Sequence, residues 1–191
     1  MIRVVYLARH GETEWNRVGR WQGQTDVPLN DDGRQQARAL AEKLRATPLS
    51  GIVASDLSRA RETAEIVAGV LGVPLTATYP ELRERCFGLF EGLTRDECAA
   101  QHADHWRRWT EDPRALPPGA ESFEDLSARM IAAVTRIASA VARPDAPVLV
   151  VGHGAAIRSV LAHARGAPVA PIANAALHRV ELHGSRLLAS E

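Results

Sequence analysis

At 191 residues, with 46% hydrophobic and 24% charged side chains, the sequence has the size and composition of one globular domain with a sizeable core. Lys+Arg and Asp+Glu both number 23, so no net field argues for nucleic acid or a membrane surface as partner. Two cysteines, Cys86 and Cys98, are too few for a disulfide framework, no 18-residue apolar run exists, and a strand pattern already under way at Val4 leaves no room for a signal peptide; a cytoplasmic, soluble domain is expected.

The chain opens on an apolar run, Val4-Val5-Tyr6-Leu7, that runs directly into Arg9, His10 and Gly11. Polar groups so close behind a buried strand are costly without a task, because a charge taken out of water needs a partner. From residue 9 to 30 there is no helical period, and Gly11, Gly19, Gly23 and Pro28 mark a long loop of the kind that carries function. Asp31 or Asp32 is expected to cap a helix running to about Arg45, with Ala37, Leu40, Ala41 and Leu44 on one face. Residues 51–54 form a short buried strand. Ser55-Asp56-Leu57-Ser58 supplies cap chemistry for a helix with the stripe Ala64, Val67, Ala68 and Leu71, closed by Gly72. Residues 75–78 are strand-like. Residues 81–119 are irregular apart from a Thr94–Glu97 capping box and the cluster His105-Trp106-Arg107-Arg108-Trp109, and read as a cap insertion rather than a separate domain. Ser122 starts the longest helix, striped by Phe123, Leu126, Met130, Val134, Ile137 and Val141. The strand Val148-Leu149-Val150-Val151 then runs into Gly152-His153-Gly154, followed by a helix over 155–164. Residues 177–182 alternate as an edge strand does, before a turn into a last short strand.

Strand and helix alternate throughout, which predicts an α/β three-layer sandwich. Its sheet is mostly parallel with an antiparallel edge strand, helices cover both faces, and residues 1–191 form a single domain. Ligands of such sheets sit at the carboxyl ends of the strands, where both His10 and His153 fall. Arginine offers a planar fork of donors for phosphate or carboxylate, and neutral imidazole is a nucleophile, a proton carrier or a metal ligand. Ser58-Arg59-Ala60-Arg61 adds basic groups at the next strand–helix junction, where helix N-terminal amides also favour an anion. A phosphate is the simplest ligand for such a pocket. Its positive neighbours keep His10 neutral and nucleophilic.

These residues give the chain a resemblance to the histidine phosphatase superfamily, the phosphoglycerate mutase-like group. R-H-G-E-T lies at Arg9 to Thr13 with Asn16 at the family's spacing, and the loop containing Trp21, Gln22, Gly23 and Gln24 is similar to the family's. Ser55 to Ala64 resembles its S-x-L-x-R-A-x-x-T-A stretch, Leu82 to Gly92 its L-x-E-x-x-x-G-x-x-E-G, and Gly152-His153-Gly154 completes five ordered blocks. The resemblance implies that His10 attacks phosphorus in line and carries a phosphohistidine. It further implies that Arg9, Arg59 and His153 hold the phosphoryl oxygens, and that Asn16, Gln22, Gly23 and the Gly154 amide assist. Glu84 would protonate the leaving alkoxide and then accept a proton from the attacking water. No metal and no cofactor is implied. The implied activity is a phosphatase acting on a small-molecule phosphoester, a phosphoric monoester hydrolase. A phosphoglycerate mutase and a non-catalytic phospho-ligand binder are the alternatives. The short stretch between Gly92 and Ser122 favours the phosphatase branch, whereas Trp106-Arg107-Arg108 is similar to an element that mutases use to grip a substrate carboxylate. A third anion-facing arginine is sought among Arg83, Arg107 and Arg108. Glu12 is assigned to orienting backbone or His10. Natural substrate, pathway and oligomeric state, a homodimer included, stay open.

Overall fold

The computed structural model describes residues 1–189. Its strands are β1 (Ile2–Arg9), β2 (Gly51–Ser55), β3 (Leu75–Tyr79), β4 (Val148–Gly152), β5 (Leu177–His183) and β6 (Arg186–Ala189), in the spatial order β3-β2-β4-β1-β5-β6. β3, β2, β4 and β1 run parallel, and β5 and β6 complete the sheet in antiparallel fashion. β2 and β4 are buried at every position, as apolar runs covered on both faces should be.

Helices α1 (Glu14–Arg17), α2 (Asp31–Leu44), α3 (Ser58–Leu71), α4 (Arg95–Gln101), α5 (Ala103–Glu111), α6 (Phe123–Val141) and α7 (Gly154–Arg165) fill the connections. The pleat sorts them. Val5, Leu7, Val53, Val148 and Val150 point to the face covered by Leu126, Met130, Val134 and Ile137 of α6 and by Ile157, Val160 and Leu161 of α7. Their neighbours in sequence, Ala8, Ile52, Ala54, Leu149 and Val151, point to the face covered by Leu40, Ala41 and Leu44 of α2 and by Ala60, Ala64 and Val67 of α3. The sandwich is therefore three layers. A third, smaller cluster, Phe87, Phe90 and Cys98 with Trp21, Trp106 and Trp109 against it, belongs to the segment that crosses the carboxyl edge of the sheet.

Five local expectations change. The loop after β1 contains α1, a single turn set by a reciprocal cap between Thr13 and Asn16; it buries no residue, so it left no apolar period to read. Asn30, not Asp31 or Asp32, caps α2 by accepting from the Gly33 amide. Leu57 stands at the N-cap of α3 and offers no side-chain cap, and the Ser58 amide donates instead to Asp26 of the distant loop. β5 is not an edge: β6 pairs outside it through the turn at Gly184, so its alternation reflects one covered face rather than a free flank. Phe123, expected on the α6 stripe, is exposed.

The loop after β1 is pressed onto the start of α2. A Cβ on Gly11 would collide with the Gly33 carbonyl, and one on Gly33 with the Glu12 carbonyl. Gly33→Ala should therefore cost about 1–3 kcal/mol in denaturant unfolding, as overpacking against rigid backbone does. An unchanged midpoint would show that the loop and helix can separate freely.

Candidate active site

β1 and β4 are parallel neighbours paired so that Arg9 lies opposite Gly152. The residues that follow, His10 and His153, must then leave the sheet side by side, about one strand spacing (~4.8 Å) apart. Their ring centroids are 5.2 Å apart, and the His10 amide donates to the Gly152 carbonyl at 2.9 Å. Nδ1 of His10 lies 2.6 Å from the Gly11 carbonyl oxygen. A carbonyl can only accept, so Nδ1 carries the proton and Nε2 keeps its lone pair. Burial pushes the His10 pKa well below the ordinary 6.5, and the charges of Arg59 and Arg9 push it further. His153 is shifted the same way, by burial first and then by Arg59, His10 and Arg9.

Arg59, the second residue of α3, has no solvent exposure. It donates to the Gly23 carbonyl at 2.7 Å and to the Thr25 carbonyl at 2.9 Å. Burial lowers its pKa from the usual guanidinium range to about 10, so the group stays cationic at neutral pH. Arg9 donates to the Ile172 carbonyl. Nε of both arginines and both ring nitrogens of His153 are buried without a hydrogen-bond partner among the described residues. Each orphaned polar atom costs on the order of 1–3 kcal/mol, so their convergence is a standing preference for an anion that accepts from them.

A cavity of about 630 Å³ opens here, lined by Arg9, His10, Asn16, Gln22, Gly23, Arg59, Glu84 and Gly154 among others. The structure thus brings all but one of the expected residues onto one wall. The exception, His153, is fully buried against His10 rather than at the cavity surface. Asn16 spends its side-chain oxygen on the Thr13 cap and on Asn174, which leaves its amino group for a ligand. Gln22 has a buried side-chain oxygen without a partner. Glu84 docks on the N-terminus of α7, with Oε2 accepting from Ala155 at 3.0 Å and Oε1 from Ala156 at 3.0 Å and Arg85 at 2.8 Å. Oε2 keeps a second lone-pair direction for a proton.

Other expectations fail. Arg83 is held bidentately by Asp56, Arg107 is an exposed partner of Asp104, and neither they nor Arg108 line the cavity. The amide at the head of α3 is occupied by Asp26 and so is not free for an anion. The Glu12 carboxylate accepts from the Asn30 side chain, and among the described residues it forms no hydrogen bond with His10. The wall also includes residues that the sequence did not mark, Arg20, Arg85, Phe87, Arg95 and Arg158, together with Trp21 of the family-like loop and Trp106 and Trp109 of the cap cluster. Arg158 had a readable signal, since it stands four residues after Gly154 on the same helix face. Asn174 had none. It donates to the His10 carbonyl at 3.1 Å from a segment without regular structure, where Ala175 takes a left-handed φ of 53° to hydrogen-bond the Arg9 and His10 carbonyls.

The two depressed histidines make a pH prediction. Unfolded, each binds a proton near pH 6.5; folded, each stays neutral well below that. Their stabilising effect is complete above pH 6.5 and is lost as pH falls from there towards the folded-state values. Denaturant unfolding between pH 7.5 and 5 should lose up to about 2 kcal/mol per histidine, and His10→Asn should flatten the slope by its share. An equal slope in wild type and variant would mean that His10 titrates normally.

The histidine phosphatase superfamily (branch 1) matches residues 5–189. A protein named probable phosphoglycerate mutase GpmB, from Photorhabdus laumondii subsp. laumondii, is 37% identical over 195 residues, covering 97% of this chain and 88% of that one. Among solved structures, YhfR of Bacillus stearothermophilus superposes with a TM-score of 0.87 at 32% identity, covering 98% of this chain and 95% of its own. The mycobacterial glucosyl-3-phosphoglycerate phosphatase Rv2419c does so at 0.84 and 31%, covering 99% and 97%. The family match and the likeness in fold both extend over almost the whole sequence: the chain belongs to the histidine phosphatase superfamily, branch 1.

Proposed function

We infer that the protein is a phosphatase that hydrolyses small phosphomonoesters through a phosphohistidine on His10. The observation that carries this reading is a neutral imidazole, its Nε2 lone pair free, set in a cavity wall between two guanidinium groups and Glu84. Nε2 attacks phosphorus, the N–P bond forms as the P–O ester bond breaks, and a proton on Glu84 passes to the leaving oxygen. Water then attacks the phosphohistidine, Glu84 takes its proton, and phosphate leaves. Arg9, Arg59 and His153 meet the charge spread over the phosphoryl oxygens, a role for fixed donors that need no reorganisation. Asn16, Gln22, Gly23 and the Gly154 amide complete the cradle. Residues 1–191 act as one unit in this reading, with residues 81–119 as its cap.

The cavity is far larger than a phosphate requires, and its Trp21, Phe87, Trp106 and Trp109 wall suits a metabolite-sized leaving group. The buried indole N–H groups of Trp21 and Trp109 lack partners among the described residues, which favours a leaving group rich in acceptors. Mutase activity is the second reading, because the curated relative bears that name. Against it stands the absence of Arg107 and Arg108 from the cavity wall.

Phosphate release from a metabolite panel, including phosphoglycerates and sugar phosphates, tests the reading. Wild type should release phosphate, His10→Ala should fall by about a thousandfold or more, and an acid-labile, alkali-stable phosphoenzyme should be trappable. Exchange of the phosphoryl group between positions without net release would instead establish a mutase. Glu84→Gln should slow esters with poor leaving groups by about 10²–10⁴-fold and activated aryl phosphates far less. Equal losses on both would assign the proton to another group.

A further inference from the structure

Residues 83–86 belong to neither helix nor strand, so Glu84 is placed by what surrounds it. A carboxylate that passes a proton in both steps has little latitude, since a misplacement of about 1 Å costs on the order of a hundredfold in rate. Its side-chain end is held by the amides of Ala155 and Ala156, at 3.0 Å each. Its main-chain end is held from a different helix. On α6, Arg129 donates to the Glu81 carbonyl at 2.8 Å, to the Arg83 carbonyl at 3.0 Å and to the Glu84 carbonyl at 3.4 Å. The rest of the guanidinium meets the Glu121 carboxylate in bidentate fashion, Nε to Oε1 at 2.9 Å and Nη2 to Oε2 at 2.8 Å.

All five N–H donors of one side chain are thus engaged, three of them on carbonyls between residues 81 and 84. An ion pair kept for stability alone needs only Glu121; the carbonyl contacts serve the segment that carries the proton donor. Glu121 grips the same segment further along. Its amide donates to the Cys86 carbonyl at 2.9 Å, its carboxylate accepts from the Cys86 amide at 3.4 Å, and its carbonyl accepts from Nε of Arg85 at 2.9 Å. The anchor is rigid, because Leu126, Met130 and Ala133, beside Arg129 on α6, are buried against the sheet. Arg129 itself is not among the residues that line the cavity, so it acts on the reaction only through others.

We propose that Arg129, clamped to Glu121, is a positioning residue for the proton donor: it ties the main chain of Glu84 to α6, and so keeps the carboxylate seated on the amides of α7. The inference rests on the phosphatase reading for the role of Glu84. Arg129 also acts on His153 through its charge, after burial, Arg59, His10 and Arg9. A loss by that route falls on every ester alike, whereas a displaced proton donor is felt where the leaving oxygen needs its proton.

Arg129→Gln should lower kcat/KM on alkyl phosphates by about 10–100-fold and leave activated aryl phosphates nearly unchanged, with Arg129→Lys recovering part of the loss. In the Glu84→Gln background the same substitution should have little further effect on alkyl phosphates, because the group it places no longer transfers a proton. Glu121→Gln loosens the clamp with the guanidinium still in place, and should show the same selectivity at smaller amplitude even if Arg129→Gln does not fold. Amide hydrogen exchange reads the placement without turnover. The Ala155 and Ala156 amides lie in the first turn of α7, beyond the reach of helical carbonyls. In Arg129→Gln they should exchange about tenfold faster or more, while Leu149 and Val150 of β4 keep their rates. Equal losses on both ester classes that multiply with the Glu84→Gln loss, or exchange that rises in β4 as much as at Ala155 and Ala156, reduce Arg129 to a structural ion pair and overturn the proposal. If wild type hydrolyses no ester while exchange rises only at Ala155 and Ala156, the phosphatase reading fails and the clamp stands.

Discussion

The buried guanidinium of Arg59 is the constraint around which the rest of the site is arranged. A charge withdrawn from water costs several kcal/mol even after relaxation, and among the described residues no carboxylate pairs with it directly, although Glu84, Asp26 and Glu91 act on it from further away. Two carbonyls of the loop after α1, those of Gly23 and Thr25, hold it instead. Glu91 in turn holds that loop, its carboxylate accepting from the amides of Gln24, Thr25 and Phe87 and from the Thr25 hydroxyl. Gly23 is obligatory there, with a φ of 54° and no space for a Cβ beside Glu91. Thr63 ties the backbone of Arg59 to the Gly11 amide, so the cation and the nucleophile loop are one mechanical unit.

That arrangement accounts for two properties at once. A positive charge in a dry setting attracts a phosphoryl group, and it also denies His10 a proton. The imidazole is therefore kept ready to attack by the same group that gathers the target. The stability forgone is visible in the orphaned nitrogens of Arg9, Arg59 and His153 and in the left-handed Ala175. The continuous apolar layers under α6 and α7 and under α2 and α3 tolerate it.

Much of this was legible in the residues. Apolar runs that end in Arg9-His10 and Gly152-His153 announce both a strand and a polar group at its exit, and parallel topology then brings the exits together. The fold class, the helices with long stripes and the Thr94–Glu97 box were readable for the same reason: each is a local pattern. What was not legible depends on distance in sequence. Asn174 and the Asp26 bond to Ser58 join segments that no period or spacing relates. Trp106-Arg107-Arg108 misled in the opposite sense, because on α5 the tryptophan faces the cavity and the arginines next to it turn to solvent.

The strand order has a consequence for how the chain comes into being. β1, which is made early, lies between β4 and β5, which are made late. Residues 2–9 thus have no ladder partner until residues 148–183 exist. During synthesis an apolar strand with both flanks open must wait while β2, β3 and their helices assemble, and such a strand is the natural starting point for misassociation. The nucleophile thus leaves the ribosome well before the strands that will flank it, and acquires its surroundings only when they are made. A nascent chain cannot bind phosphate prematurely, and the commitment to a working site coincides with the closure of the sheet.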